Sequence, residues 1–130
     1  MIIDSSALVA ILCGEEEAEL FANLISNDRY RLVSTLSFIE TSIVIGSRYG
    51  STGTAQLDLL MQETAIALVP LTGEQAKIAC QAYFNFGKGH HPARLNLGDC
   101  CSYALAKASG QPLLFKGDDF SQTDVNSVIE

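Results

Sequence analysis

Short apolar runs alternate with longer amphipathic stretches along this chain, and nearly every apolar run stops at a polar or acidic residue. Met1 to Asp4 reads as a buried strand that ends on an acid, and Ser5 to Cys13 continues as an apolar helix closed by Gly14. Glu15 to Ile25 carries acids at its start and apolar residues at 18, 20, 21, 22, 24 and 25, the spacing of a second, amphipathic helix. Arg31 to Ser34 is a second strand. Leu36 to Ser47 returns to helical spacing, Gly50 to Gly53 forms a loop, and Ala55 to Glu63 is a further helix. Ala65 to Val69 is a third strand, bounded by Pro70, which cannot continue a ladder. Thr72-Gly73-Glu74 opens a helix to about Phe86, Gly87 to Ala93 is a polar loop, and another helix follows Asn96 until Ser109-Gly110-Gln111-Pro112. Leu113 to Phe115 supplies a fourth strand, Gly117 to Phe120 the turn beyond it, and Val125 to Ile129 a short edge strand.

Strands separated by helical crossovers predict an α/β fold with a mainly parallel central sheet of four to five strands and helices on both faces. At 130 residues the chain is expected to form one domain, 1–130, and 48% hydrophobic content suffices for a shared core. The longest apolar stretches fall short of the roughly 18 residues needed to span a bilayer. The start lacks a basic and apolar signal pattern, because Asp4 interrupts it and Glu15-Glu16-Glu17 follow. A soluble, cytoplasmic protein is the expectation. Cysteines at 13, 80, 100 and 101 form no C-x-x-C pair, so buried free thiols are expected rather than a zinc site.

The acids fall at informative places: Asp4 after the first strand, Glu40 in the third helical stretch, Asp99 at a helix start, and Asp118-Asp119 after the last apolar triplet. Each has an ordinary structural use. Asp4 can cap the helix it precedes, although Ser5 or Ser6 could take that role and free it. Glu40 completes a capping-box spacing with Ser37, yet Leu36, Ile39, Ile43 and Val44 place it on or near an apolar stripe, where an unpartnered carboxylate is costly. Asp99 lies three residues after Asn96 and favours the first turn of an apolar, central helix. Asp118 and Asp119 suit a Gly-Asp turn, and adjacent residues point differently, so one would face the site while the other caps or orients it.

Four such sites together carry more weight than any one. In a parallel α/β sheet the carboxyl ends of strands meet at one crevice, where remote acids converge on divalent cations. Oxygen-only ligation suits Mg²⁺ or Mn²⁺, one or two ions, and the expected chemistry is metal-dependent hydrolysis of a phosphodiester. Ser6 is then expected to support Asp4 from behind.

A formal charge of −7, from 15 acids and 8 bases, argues against nucleic acid only as a whole-chain measure. Acids gathered on a cation lose their repulsion, and Lys88, Arg94, Lys116, His90 and His91 could form a positive rim. The two histidines are expected at the surface or on a phosphate. Tyr103 and Phe120 are expected in the core.

The segments Met1-Ile-Ile-Asp-Ser-Ser-Ala-Leu-Val-Ala-Ile-Leu12, Leu36-Ser-Phe-Ile-Glu40, Arg94-Leu-Asn-Leu-Gly-Asp99-Cys-Cys-Ser-Tyr-Ala-Leu-Ala-Lys107 and Leu113-Leu-Phe-Lys-Gly-Asp-Asp-Phe120 resemble, in this order, a PIN-domain ribonuclease of the VapC toxin type. The resemblance spans the chain and implies a PIN-like three-layer sandwich. It also implies a Mg²⁺- or Mn²⁺-dependent endoribonuclease, dimeric, cutting RNA and inhibited by a cognate VapB-type antitoxin. By position, Asp4, Glu40 and Asp99 match the family's acidic core, the fourth acid falls within Asp118-Asp119, and Ser6 matches the hydroxyl residue after the first aspartate. The groove near Glu40 and the Glu15 to Phe21 helix are the candidate antitoxin surfaces. Two other functions compete: a Mg²⁺-dependent phosphohydrolase on small esters, weakened because no D-x-D follows the first strand, and a noncatalytic interaction domain whose acids are all caps.

Overall fold

Residues 1–129 are described by the structure, a computed structural model. Its elements run β1 (Ile2–Ile3), α1 (Ser5–Leu12), α2 (Ala18–Asn27), β2 (Leu32–Ser34), α3 (Thr35–Glu63), β3 (Ala67–Val69), α4 (Gly73–Phe86), α5 (Leu97–Ser109) and β4 (Leu113–Leu114), followed by a 3₁₀ turn at Phe120–Gln122. The four strands form one parallel sheet in the order β3-β2-β1-β4, with Ile2 opposite both Leu32 and Leu113.

The strands are short but their alternation is strict. Ile2, Leu32 and Leu113 turn to one face, where α4 and α5 bring Ala79, Ala82, Ala104 and Leu105. Ile3, Val33 and Leu114 turn to the other, where Leu8 of α1 and Phe21 and Ile25 of α2 cover them. Both faces of β1, β2 and β4 are therefore covered, as parallel sheets require, whereas Ala67 and Leu68 leave the edge strand β3 largely exposed. The terminal ammonium of Met1 is drawn into this framework by Asp28, the Tyr30 carbonyl and the Gln111 side chain.

Several boundaries differ from the pattern-based expectation. Glu15 to Glu17 stay outside α2, which begins at Ala18, because Glu15 and Glu17 turn instead toward Lys116. The loop predicted at Gly50 to Gly53 shrinks to a kink at Gly50 (φ 64°, ψ −151°), a conformation open to glycine, within one long helix. Val125 to Ile129 supplies only a bridge from Ser127 to Leu113 rather than a strand. Cys100 and Cys101 are buried as expected, whereas Cys80 is exposed and Cys13 partly so. Tyr103 and Phe120 are buried. Among the described residues, no helix is long and apolar enough to cross a membrane.

Candidate active site

The topology gathers the candidate acids at one edge. Asp4 follows β1, Glu40 sits in the second turn of the helix that follows β2, and Asp119 lies in the turn beyond β4. Because α5 returns the chain to the start of β4, its amino end, with Asp99, also lies at the carboxyl edge of the sheet.

Asp4 is the most constrained of them. It is 2% exposed and caps α1, its Oδ2 accepting the Ser6 amide at 3.0 Å and the Ser6 hydroxyl at 2.6 Å. Its Oδ1 accepts the Ser102 hydroxyl of α5 at 2.5 Å. With that proton committed, the 2.9 Å contact between Ser102 and Ser37 must have Ser37 of α3 as donor. A chain of hydroxyls thus runs from α3 through α5 to the carboxylate at the end of β1. Ser6 Oγ in turn accepts the Lys116 amide at 3.0 Å, which fixes the turn carrying Asp119.

Asp99 and Glu40 carry the electrostatic signature of the site. Burial first, and then the charges of Asp4, Asp119 and Glu40, push the Asp99 carboxyl up to about 7 against the opposing pull of the Asn96 amide. Glu40 is also raised, first by burial and then by the charge of Asp4. Asp99 closes a reciprocal capping box: its Oδ2 accepts the Asn96 amide at 3.0 Å while its own amide donates to Asn96 Oδ1 at 2.9 Å. Gly98 is there for space, since a Cβ at this position would land on the Glu40 carboxylate.

The doublet divides unequally. Asp119 acts on Asp99, and its side chain makes no capping bond to the 3₁₀ turn it precedes. Asp118 is exposed and does not figure among the charges raising Asp99; its carbonyl accepts the Ser121 hydroxyl.

Of the two readings open for Asp4, the structure has the cap: Asp4 keeps that role itself, and Ser6 supports it rather than replacing it. Other local expectations are corrected. Ser37 does not cap α3, because the helix starts earlier, with Ser34 accepting the Leu36 amide, so Glu40 takes no part in a capping box. Of the apolar neighbours of Glu40, Leu36 and Val44 are half-buried while Ile39 and Ile43 are 51% and 63% exposed, so Glu40 stands at the edge of the buried face that Ser37, Thr41 and Ile45 form at the start of α3. Lys116 is held by Glu15 and Glu17, which takes it out of the expected positive rim. Pattern reading missed Ser37, Ser102 and Gly98. A signal existed, since each serine stands three residues from an acid, Ser37 before Glu40 and Ser102 after Asp99, and so shares its helix face.

Among the described residues, no three histidine, cysteine, aspartate or glutamate side chains stand close enough to hold one ion. The acids feel one another's charge without sharing a ligand position. In kind the donors fit a hard divalent cation: they are carboxylates alone, and the raised Asp99 and Glu40 mark uncompensated negative charge that a cation would relieve.

Comparison with known proteins bears on the family and the fold. A family model described as the PIN domain matches residues 1–126. A ribonuclease VapC from Mycolicibacterium smegmatis is 54% identical over 128 residues, covering 98% of this chain and 99% of the relative. Among solved structures, Mycobacterium tuberculosis VapC20, a sarcin-ricin-loop-cleaving toxin, superposes with a TM-score of 0.78 at 18% identity over 98% of this chain and 97% of that one. A toxin-antitoxin complex from Klebsiella pneumoniae gives 0.72 at 15% identity, covering 95% and 92%. The last two likenesses are of fold.

Proposed function

This chain belongs to the PIN-domain family, among the VapC ribonucleases that are the toxins of toxin-antitoxin systems, and we propose that it hydrolyses RNA phosphodiesters at the Asp4, Glu40, Asp99 and Asp119 cluster. The observation that carries the assignment of the site is the convergence of four acids from four segments, each close enough to act on the charge of Asp99 or to be Asp99 itself.

These four carboxylates would supply the protein ligands of one or two Mg²⁺ or Mn²⁺ ions, no more than two of them to an ion as they stand, and Asp118 is left as a peripheral acid. When bound, such an ion supplies Lewis-acid polarisation of the phosphodiester and a water of lowered pKa. The chain's own contribution is orientation. Ser6 and Ser102 fix both oxygens of Asp4, occupying three of its roughly four acceptor positions and leaving the remaining one, on Oδ1, for a ligand. Asp99 holds Oδ2 in the cap, so Oδ1 is the oxygen available to the site. In the metal-free chain the Asp99 carboxyl lies up at about 7, chiefly through burial, and a cation beside it would favour the ionised form that can ligate.

The proposed partner is a cognate VapB-type antitoxin, docking on the exposed Ile39 and Ile43 that flank Glu40 and on exposed Leu20 of α2. The likeness to a solved toxin-antitoxin complex supports that reading. A homodimer and an intracellular site of action are proposed from the same family membership.

Cleavage of total RNA with and without Mn²⁺, with end mapping, tests the function. Asp119→Asn and Asp99→Asn should abolish Mn²⁺-dependent cutting and weaken Mn²⁺ binding by calorimetry while the fold survives. Undiminished cutting by both variants would defeat the assignment.

A further inference from the structure

Of the acid-free stretches in this acidic chain the longest runs from Gln75 to Gly98, and Lys77, Lys88, Arg94 and both histidines lie within it; it ends one residue before Asp99. In a molecule of net charge −7 it is a segment that a polyanion can approach without meeting a fixed negative charge of the same segment.

The segment is built rather than loose. Lys88 and Leu95 exchange backbone hydrogen bonds with each other's strand-like neighbours, Lys88 N–H to Leu95 O at 2.9 Å and Leu95 N–H to Phe86 O at 3.0 Å. His91 packs edge-on against Phe86, and its Nδ1 accepts the Ala93 amide, so this ring serves the loop. The His90 ring is different. It is exposed and stands edge-to-face against two other exposed rings, 5.4 Å from Tyr83 and 6.0 Å from Phe84 between centroids. Phe84 is 65% exposed. Gln122 of the turn that follows Asp119 reaches the Pro92 carbonyl, which joins this loop to the far side of the acid cluster.

We propose that Tyr83, Phe84 and His90 form a stacking platform for an unpaired base of the RNA flanking the scissile phosphate, with Lys88 and Arg94 contacting the backbone on either side. Exposed aromatic rings beside acid-free basic residues are the chemistry by which proteins grip single-stranded nucleic acid: bases stack on rings of any sequence and phosphates meet the cations. Neither lysine 88 nor arginine 94 is in an ion pair with a carboxylate among the described residues, unlike Lys107 and Lys116. The inference rests on the ribonuclease reading for its substrate but not for its measurement.

The test is binding of a fluorescently labelled single-stranded RNA to the full chain without divalent metal, followed by anisotropy across a salt series. Phe84→Ala should weaken binding about tenfold, the loss of one stacked base, while Phe84→Trp restores it. Lys88→Ala and Arg94→Ala should each flatten the salt dependence by about 0.7 in the log-log slope, the value for one single-strand phosphate contact. In cleavage assays the same variants should raise KM and leave kcat within about twofold. If the wild type cuts RNA but the variants bind as the wild type does, the platform is refuted and the nuclease stands. If the wild type cuts no RNA yet binds it through Phe84, the nuclease falls and the platform stands. Phe84→Ala converting a dimer to a monomer with unchanged RNA affinity would assign the aromatic face to a second copy and overturn the proposal.

Discussion

Ser102→Ala removes a single hydroxyl from α5, and its consequences can be worked out from where that hydroxyl sits. Ser102 and Ser37 are fully buried and Asp4 is 2% exposed, so water cannot replace the lost donor. The variant leaves Asp4 Oδ1 without its 2.5 Å partner and Ser37 without its acceptor. A hydrogen bond to a charged group contributes about 1.5–3 kcal/mol, and an orphaned buried hydroxyl adds a penalty on the order of 1 kcal/mol. Against this, alanine is the better helix former, by roughly 0.5 kcal/mol. The destabilising effects win, for a net loss of about 2–3 kcal/mol. For a chain of this size that corresponds to a fall in Tm of roughly 8–12 °C. Thermal and urea unfolding of metal-free protein measure it, with Ser47→Ala, at an exposed position of α3, reporting the propensity gain alone. In an Asp4→Asn background the cost of Ser102→Ala should shrink by about 1 kcal/mol or more, because the charged acceptor is gone. A Ser102→Ala protein as stable as the wild type, or strictly additive costs, would refute the hydroxyl chain.

Further outcomes are expected elsewhere. Gly98→Ala drives a methyl into the Glu40 carboxylate, and a displacement of about 1 Å at a reacting group can reduce kcat roughly 100-fold; unchanged Mn²⁺-dependent cleavage would show that Glu40 is not needed where it stands. Asp99 is raised in the folded chain, so the native state binds the extra proton, and metal-free stability should fall as pH rises from about 4 to about 7. Asp99→Asn should reduce that slope in Tm against pH and leave the smaller part that the raised Glu40 contributes in the same sense, and Mn²⁺ should flatten it in the wild type. The lowered Asp28 and Asp124 work in the opposite sense but below the ordinary carboxylate range, outside this window. Gly50→Ala should cost about 1–3 kcal/mol in urea unfolding, because its backbone conformation is closed to residues with a Cβ; a neutral result would mean that α3 straightens at little cost.

The layers and the acids were legible in the sequence for a physical reason. Short apolar runs ending in a turn residue leave little choice but buried parallel strands, and an acid at such an end has nowhere to go but the sheet's carboxyl edge. Glu40 was singled out by its apolar neighbours, of which Leu36 and Val44 are half-buried but Ile39 and Ile43 are exposed; what surrounds its carboxylate is Gly98 and Asp4, from remote segments that no local pattern could bring together. Ser37 and Ser102 were missed because their spacing from Glu40 and Asp99 marks a shared helix face and not the contact across α3 and α5, which only the fold brings about. Asp118 and Asp119 could not be separated by pattern either, since only the turn geometry after β4 decides which of two neighbours reaches Asp99.

The hydroxyl chain that anchors Asp4 to α3 and α5 also decides how such a toxin can be disarmed by mutation. Changing Asp4 disturbs the joint between three elements and so lowers the amount of folded protein together with its activity. Changing exposed Asp119 spares that joint, and on the proposed role of this residue would yield an intact but silent copy. Such a copy would still occupy antitoxin, freeing active toxin in the same cell, whereas an Asp4 variant would be cleared by proteolysis before it could act as a decoy.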